Sequence, residues 1–235
     1  MTNAIKLLLF ALALTVVAYA RVLHAPFVYE DAMSVKPVTR VTWQTPLGWL
    51  TTGRALTRIS FDANYLLSGP SPTSYHATNL GLHVVNGTLV HALIVPISGP
   101  TIAAMTAAIF LVHPLQRQAV SYISGRAELL ATLFVLIACL AVSLPLNWKS
   151  GSVFLVATVC AMASKETAAV VVLLAPLLVW ARRGDIEWLA VLALLPLLAL
   201  VHLYGALGGN PYAFASARQW LGFPALHFRL VCGTP

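Results

Sequence analysis

The chain alternates long apolar runs with short polar segments, and this pattern predicts a bundle of membrane helices. The runs occupy residues 4–20, 77–97, 101–115, 127–146, 152–163, 167–181 and 186–207. A helix that crosses the hydrocarbon core needs about 20 apolar residues. Four of the runs suit that length, whereas the run 101–115 is short and ends at His113-Pro114. We therefore expect an all-α, polytopic membrane protein with about seven transmembrane helices, in which residues 1–235 form one transmembrane domain.

Two of these runs have alternative interpretations. Residues 18–20, Ala-Tyr-Ala, resemble a signal-peptide cleavage site, but the length of the first run and the spans after it favour an uncleaved helix. The runs on either side of Ser164-Lys165-Glu166 predict either one tilted helix or a hairpin that turns at these residues. Lys149 and Arg182-Arg183 are both typical of cytoplasmic anchors, which favours the hairpin. Each arm would have roughly 16 residues, or about 24 Å of helix, so the turn would lie below the membrane surface.

The composition agrees with a membrane protein and gives no sign of a nucleic-acid partner. Hydrophobic residues make up 59% and charged residues 9% of the chain, whereas a soluble domain averages about 25% charged residues. The net charge of +7 reflects the scarcity of acids, and no basic cluster is larger than Arg182-Arg183. The cysteines, Cys139, Cys160 and Cys232, lack the spacing of metal ligands, so no metal site is predicted from them.

Charges of both signs fall on one side of the predicted membrane. Alternating the loops places Lys6, Lys149, Arg182 and Arg183 on one side and most other basic residues on the opposite side. That opposite side also holds five of the seven acids: Glu30, Asp31, Asp62, Glu128 and Glu166. A simple positive-inside count would place this mixed surface in the cytoplasm. Converging arginines and carboxylates suit a phosphate-bearing substrate, although weak solvated ion pairs would produce the same pattern.

Polar residues also mark two segments at this surface. The loop 23–75 is too long for a simple connector, and within it residues 46–52 and 56–67 have the pattern of short amphipathic helices at the membrane interface. The next span carries four polar residues on one helical face: His76, Asn79, His83 and Asn86. Hydrogen bonds between helices, worth about 1 kcal/mol each, explain His83 and Asn86. His76 and Asn79 lie nearer the loop and are better candidates for substrate contact.

The segment 113–130, HPLQRQAVSYISGRAELL, contains a second group of candidates. Pro114 should end the preceding helix at His113. Arg126 then stands at the start of the next span, where a guanidinium suits a phosphate. Glu128 would orient Arg126 or hold an acceptor. An Arg–Glu anchor pair at the membrane interface explains the same two residues equally well.

Five stretches in order resemble a known family: PFVYED, GRALTRISFDANYLLSG, YHATNLGLHVVN, FLVHPLQRQAVSYISGRAELLATLF and SKETAAVVVLLAPLL. Over about residues 26–176 the chain resembles the amino-terminal membrane half of the TMTC-type, GT-C-fold glycosyltransferases, relatives of the dolichyl-phosphate-mannose protein mannosyltransferases. The resemblance implies a GT-C-like helical bundle. This chain departs from the usual pattern in having Glu30-Asp31 for Asp-Asp, Arg54-Ala55 for Arg-Pro, and Gln118 for a glutamate.

The resemblance implies a reaction and a site. The donor would be a mannose-like sugar on a polyprenyl or dolichyl phosphate, and the acceptor a protein or glycan hydroxyl on the non-cytoplasmic face, where the loop 23–75 would lie. The acidic pair would supply catalysis, with Asp31 as the base and Glu30 beside it. The implied substrate-binding residues are Arg54, Arg58, His76, Asn79, His113, Arg126, Glu128, Lys165 and Glu166. No cofactor is assigned, and a divalent cation is left open.

The same resemblance sets the expected location, partners and extent. We expect an integral, multi-pass protein of a bacterial inner membrane or of the endoplasmic reticulum, in contact with membrane lipid, the lipid-linked donor and the acceptor. Family members continue with further spans and often tetratricopeptide repeats, so the chain is expected to be truncated at its carboxyl end. Whether such a fragment is active is left open. A transporter or flippase of lipid-linked sugar and a noncatalytic scaffold are the alternatives. A transporter would favour pseudo-symmetric halves, and the sequence has no internal repeat.

Overall fold

The structure is a computed structural model that describes residues 3–28, 31, 54–145 and 147–183. Within these ranges it is helical and contains no strand, which confirms the all-α class for the described residues. The helices are α1 (Asn3–Tyr19), α2 (Ala55–Ser68), α3 (Pro72–Val112), α4 (Gln116–Ser121), α5 (Arg126–Ser143), α6 (Trp148–Ser164) and α7 (Val171–Arg183). Short 3₁₀ segments follow α1, precede α5 and precede α7, at Ala20–His24, Ile123–Gly125 and Glu166–Val170. Glu30 and the predicted helices at 46–52 and 186–207 lie outside the described residues.

Helix α3 consists of two arms that fold back on each other at Gly99. The backbone there has φ 80° and ψ 168°, a conformation that glycine adopts without a steric penalty. His83 Nε2 lies 3.0 Å from the Leu111 carbonyl oxygen. A Cβ atom at Gly87 would lie 2.5 Å from the Leu111 side chain, so the arms are in close contact. The two apolar runs predicted on either side of residues 98–101 are therefore two antiparallel arms.

Helices α5, α6 and α7 form the main apolar core and show the expected hairpin. Alanines from α5 and α6 dominate this core, including Ala138 and Ala161, and such small residues allow helices to approach closely. Helix α6 ends at Ser164, and Lys165 has an extended backbone with φ −159° and ψ 143°. Helix α7 then packs back against α5. The chain therefore turns at Lys165-Glu166, and the single tilted helix is not what forms.

Three helical stretches are long and apolar enough to cross a membrane: Asn3–His24, Pro72–Val112 and Ile123–Ser143. Helices α6 and α7 are apolar but shorter. The described residues thus identify a membrane protein. The count of about seven spans stays a prediction, because the run 186–207 lies outside the described residues.

Helix α2 connects the amino-terminal part of the bundle to the α6–α7 turn. The Thr57 hydroxyl donates a hydrogen bond to the Ser164 carbonyl oxygen at 3.0 Å. The inner face of α2 is buried, whereas Leu66 and Leu67 on its far end are 83% and 87% exposed. The predicted helix at 56–67 therefore exists, with one buried face, and its position relative to a lipid surface stays a prediction. It lies at the end of the bundle where α3 and α5 begin and α6 ends, which we call the polar end.

Candidate functional site

Arg126 is the centre of the polar end and is completely buried. Its guanidinium donates hydrogen bonds at 2.9 to 3.2 Å to Asn79 Oδ1, Ser60 O, Asn64 Oδ1 and Tyr75 O. The guanidinium carbon also lies 4.5 Å from the centre of the Phe61 ring, a distance that allows a cation–π interaction. Four oxygens and an aromatic face thus replace the hydration of this charge. Arg126 joins α2, α3 and α5 through these contacts.

Asn79 connects Arg126 to the 3₁₀ segment Ile123–Gly125. Its Oδ1 accepts the Arg126 Nε–H, while its Nδ2 donates to Tyr122 O at 2.9 Å and to Ile123 O at 3.3 Å. The same two carbonyls also accept backbone hydrogen bonds from the N–H groups of Gly125 and Arg126, so the buried amide is a second donor to each of them. Asn79 is therefore bonded on both sides of its amide.

Asp31 is fully buried and is held by two backbone N–H groups. The Ser124 N–H donates to Asp31 Oδ1 at 2.9 Å, and the Val28 N–H donates to Asp31 Oδ2 at 3.4 Å. Hydrogen bonds to both oxygens fix the orientation of the carboxylate. Ser124 is two residues from Arg126, so Asp31 and Arg126 lie at the same end of the bundle.

His76 lies beside this network, and one of its ring nitrogens has no partner among the described residues. Its Nε2 is 3.2 Å from Ala25 O, which can only accept, so Nε2 carries the proton. Nδ1 is buried and unpaired within the described part of the chain. The ring is close enough to both Asp31 and Arg126 for their charges to act on it. A neutral His76 therefore offers a lone pair at Nδ1 to a hydroxyl donor.

A second group of charges surrounds the α6–α7 turn. Lys165 Nζ pairs with Glu128 Oε1, and Arg54 donates to both carboxylate oxygens of Glu166, at 2.8 and 3.3 Å. Arg54 has φ 62°, in the left-handed region that non-glycine residues seldom occupy. The side chains of Arg54 and Glu166 are 42% and 51% exposed, so this pair contributes less than about 1 kcal/mol to stability.

The Arg54–Glu166 pair has a defined pH dependence. The hydrogen bond from Arg54 lowers the pKa of the Glu166 carboxyl below its usual value, against the opposing effect of burial. Because the folded-state pKa is lowered, the pair's contribution is present at neutral pH and is lost as the pH falls through that lowered value. Glu166 therefore stays ionised at neutral pH.

The remaining candidates lie nearer the solvent. Arg58 is exposed on α2, where its charge opposes the burial that raises the pKa of the Asp62 carboxyl. His113 is exposed and its Nδ1 accepts the Leu115 N–H at 3.2 Å, so it stabilises the turn between α3 and α4. Glu30 lies outside the described residues. Among those residues, no three His, Cys, Asp or Glu side chains are close enough to hold a metal ion.

The structure thus divides the sequence-predicted site into two groups. Asp31, Asn79 and Arg126 belong to the buried network, with His76 buried beside it, whereas Arg54, Glu128, Lys165 and Glu166 form the more exposed group at the α6–α7 turn. His83 Nε2 contacts the Leu111 carbonyl oxygen on the other arm of α3, and Asn86 Nδ2 donates to the Leu129 carbonyl oxygen on α5. These bonds confirm the interhelical role predicted for both residues. Substrate contact by the other residues stays a prediction.

Sequence reasoning missed several residues that hold the buried network, and Asn64 and Ser124 are two of them. Asn64 Oδ1 accepts hydrogen bonds from both Arg126 and Thr78, and Ser124 holds Asp31 through its backbone. Asn64 follows Thr57 and Phe61 at helical spacing on the buried face of α2, a signal that could have identified it. Ser124 acts through its N–H group, which every residue but proline has, so no side-chain pattern could have marked it.

Gly125 provides a test of how tightly the 3₁₀ segment is packed. A Cβ atom at this position would lie 2.4 Å from the Ala119 carbonyl oxygen. We expect Gly125→Ala to lower the free energy of unfolding in detergent by about 1–3 kcal/mol, because the backbone must move. Gly81, in α3, has open space around its Cα, and Gly81→Ala should instead stabilise the helix by about 0.5–1 kcal/mol. Equal stability of Gly125→Ala and the parent chain would contradict this packing.

In chemical terms, the polar end combines an oriented carboxylate with cations that are partly open to solvent. A carboxylate can accept a proton from a hydroxyl, and a lysine with an arginine can bind a phosphate. Since Arg126 already contacts four oxygens, Lys165 and Arg54 are better placed than Arg126 to contact a ligand.

Comparison with known proteins gives one consistent group of relatives. The chain is 32% identical over 182 residues to Protein O-mannosyl-transferase Tmtc1 of Drosophila melanogaster, covering 69% of the chain and 21% of that protein. It is 40% identical over 90 residues to human Protein O-mannosyl-transferase TMTC3, covering 37% of the chain and 10% of that protein. It is 30% identical over 157 residues to Protein O-mannosyl-transferase F38B6.6 of Caenorhabditis elegans, covering 58% of the chain and 23% of that protein. The chain therefore spans less than a quarter of the length of these curated relatives. No family model and no solved structure matches it.

Proposed function

This chain is related by sequence to the TMTC-family protein O-mannosyl-transferases, and on that premise we propose that it is the catalytic membrane portion of a glycosyltransferase. The donor is mannose, or a similar sugar, on a polyprenyl or dolichyl phosphate, and the acceptor is a hydroxyl of a protein. The observation that carries the proposal is the Asp31 carboxylate, which Ser124 and Val28 orient at the end of the bundle where Arg54 and Lys165 also lie.

In the proposed reaction Asp31 removes the proton from the acceptor hydroxyl as its oxygen attacks the anomeric carbon. The new glycosidic bond forms while the bond from the sugar to the carrier phosphate breaks. The leaving phosphate gains one negative charge, and nearby cations stabilise that charge. A single displacement of this kind inverts the configuration at the anomeric carbon.

We assign the carrier phosphate to Lys165 and Arg54 rather than to Arg126. Both residues are basic and lie at the α6–α7 turn, and each already binds a carboxylate, Glu166 for Arg54 and Glu128 for Lys165. An arriving phosphate would compete with these carboxylates for the same donors. Asp31 is fully buried, so proton transfer from an acceptor hydroxyl requires that the carboxylate becomes accessible to it.

A transfer assay on sealed vesicles tests the activity and the active face together. Vesicles that contain the chain, in either orientation, receive a polyprenyl-phosphate [³H]mannose donor and a membrane-impermeant Ser/Thr peptide. We expect labelled peptide only when the loop 23–75 faces the outside medium. Labelling from the opposite orientation would overturn the proposed face. A chain that binds donor and moves it across the bilayer without labelling any acceptor would instead support the transporter alternative.

Donor affinity should depend on Lys165. We expect Lys165→Gln to weaken donor binding about 10- to 100-fold, since a hydrogen bond to a charged group contributes about 1.5–3 kcal/mol. Lys149→Gln is the matched control, because Lys149 is exposed at the opposite end of α6 and stacks on Trp148. Binding of the radiolabelled donor in detergent micelles measures the effect. Equal donor affinity for Lys165→Gln and the parent would remove Lys165 from the phosphate site.

A further inference from the structure

Arg126 and Asn79 form a continuous chain of hydrogen bonds to the Asp31 carboxylate. Arg126 Nε donates to Asn79 Oδ1, and Asn79 Nδ2 donates to the carbonyl oxygens of Tyr122 and Ile123. The next residue, Ser124, donates its N–H to Asp31 Oδ1. Every step of this chain is at hydrogen-bond distance, between 2.9 and 3.3 Å.

Burial and close packing limit how far the residues in this series of hydrogen bonds can move. Asn79 and Arg126 are fully buried, so an amide or guanidinium that lost its partner would stay without water. Gly125 lies against the Ala119 carbonyl oxygen, which limits movement of the 3₁₀ segment on its other side. A displacement of Asn79 therefore passes to the Ser124 N–H.

We propose that Arg126 and Asn79 are positioning residues, which hold the 3₁₀ segment Ile123–Gly125 so that the Ser124 N–H fixes the Asp31 carboxylate for proton transfer. The inference rests on the proposed function, because Asp31 is the base only in that reaction. The sequence analysis expected both residues to contact the substrate. In this proposal they act instead through another residue, Asp31. Neither Arg126 nor Asn79 needs to touch the substrate.

Asn79→Asp keeps the hydrogen bond from Arg126 and removes the hydrogen bonds to the 3₁₀ segment. The carboxylate keeps the acceptor for Arg126 Nε and gains a favourable charge next to that guanidinium, so the variant is expected to fold. It loses the Nδ2 donor to Tyr122 and Ile123, and carboxylate and carbonyl oxygens then repel each other. Asn86→Ala is the matched control, because Asn86 is also buried on α3 and donates to a carbonyl, Leu129 O, but has no bond toward Asp31.

Hydrogen–deuterium exchange of the chain in micelles tests the positioning without any assay of transfer. We expect Asn79→Asp to speed exchange of the amides at 122–125, including Ser124, and Asn86→Ala to leave these amides as protected as in the parent. Unchanged protection of Ser124 in Asn79→Asp would overturn the inference. Because this measurement involves no sugar, its outcome is independent of whether the proposed function is correct.

A kinetic cycle then tests the consequence for catalysis. We expect Asn79→Asp to lower kcat about 100-fold with donor affinity unchanged, as for a small misplacement of a catalytic group. In an Asp31→Asn background the same change should cause no additional loss, since its effect passes through Asp31. If the double variant lost kcat by the product of the two single losses, the positioning role would be overturned. A loss of donor affinity in Asn79→Asp alone would overturn it as well.

Discussion

Asp31→Asn should reduce sugar transfer by about 10²–10⁴-fold, the usual contribution of a general base, which corresponds to about 3–5 kcal/mol of barrier. The substitution conserves size, and the amide oxygen can still accept the Ser124 N–H. The amide nitrogen would face the Val28 N–H, where the bond is longer, at 3.4 Å, so little stability is lost. The measurement is the initial rate of transfer at equal membrane abundance, with donor binding determined separately.

Asp62→Asn is the control for this experiment. Asp62 is a half-buried acid on α2, outside the proposed site, and the same chemical change there should leave the rate at the parental level. Near-parental turnover by Asp31→Asn would show that Asp31 is not the base, and the binding-only alternatives would then account better for the charged end. The reduced rate together with unchanged donor binding is the result that supports the mechanism.

Arg126→Lys should lower the free energy of unfolding by about 1–3 kcal/mol. The ammonium is a point donor and cannot reach all of the oxygens that the planar guanidinium contacts in α2, α3 and α5. At least one buried acceptor would then have no partner, and each such group costs about 1–3 kcal/mol. Denaturant unfolding of the purified chain in detergent measures the change.

Arg117→Lys provides the comparison, because Arg117 is exposed on α4 and the exchange should change stability by less than about 0.5 kcal/mol. The pair of variants distinguishes two roles for Arg126. A structural arginine loses stability on conversion to lysine, whereas an arginine that binds the carrier phosphate would lose donor affinity with stability unchanged. A loss of donor affinity with stability unchanged would assign the carrier phosphate to Arg126 and contradict its assignment to Lys165 and Arg54.

The sequence by itself determined the long apolar helices of the described residues and the polar face of α3. Apolar runs bounded by Gly99, Pro114 and Lys165 predicted where α3 folds back, where it ends and where α6 ends, because chain breaks depend on local conformation. Helical spacing also placed His76, Asn79, His83 and Asn86 on the inner face of α3, and burial of all four confirms that placement. Assigning successive loops to alternate sides of the membrane predicted that the charged residues of the polar end lie on the same side.

Only the tertiary structure decided which charges are partners. Arg126 and Glu128 are two residues apart, yet Arg126 points to α2 and α3 while Glu128 pairs with Lys165. Arg54 pairs with Glu166, 112 positions along the chain. Hydrogen-bond partners depend on distances between helices, which a one-dimensional pattern does not contain. The link from Asn79 to Asp31 passes through backbone atoms of residues 122–124, and main-chain groups are the same for nearly every residue type, so folding alone could reveal it.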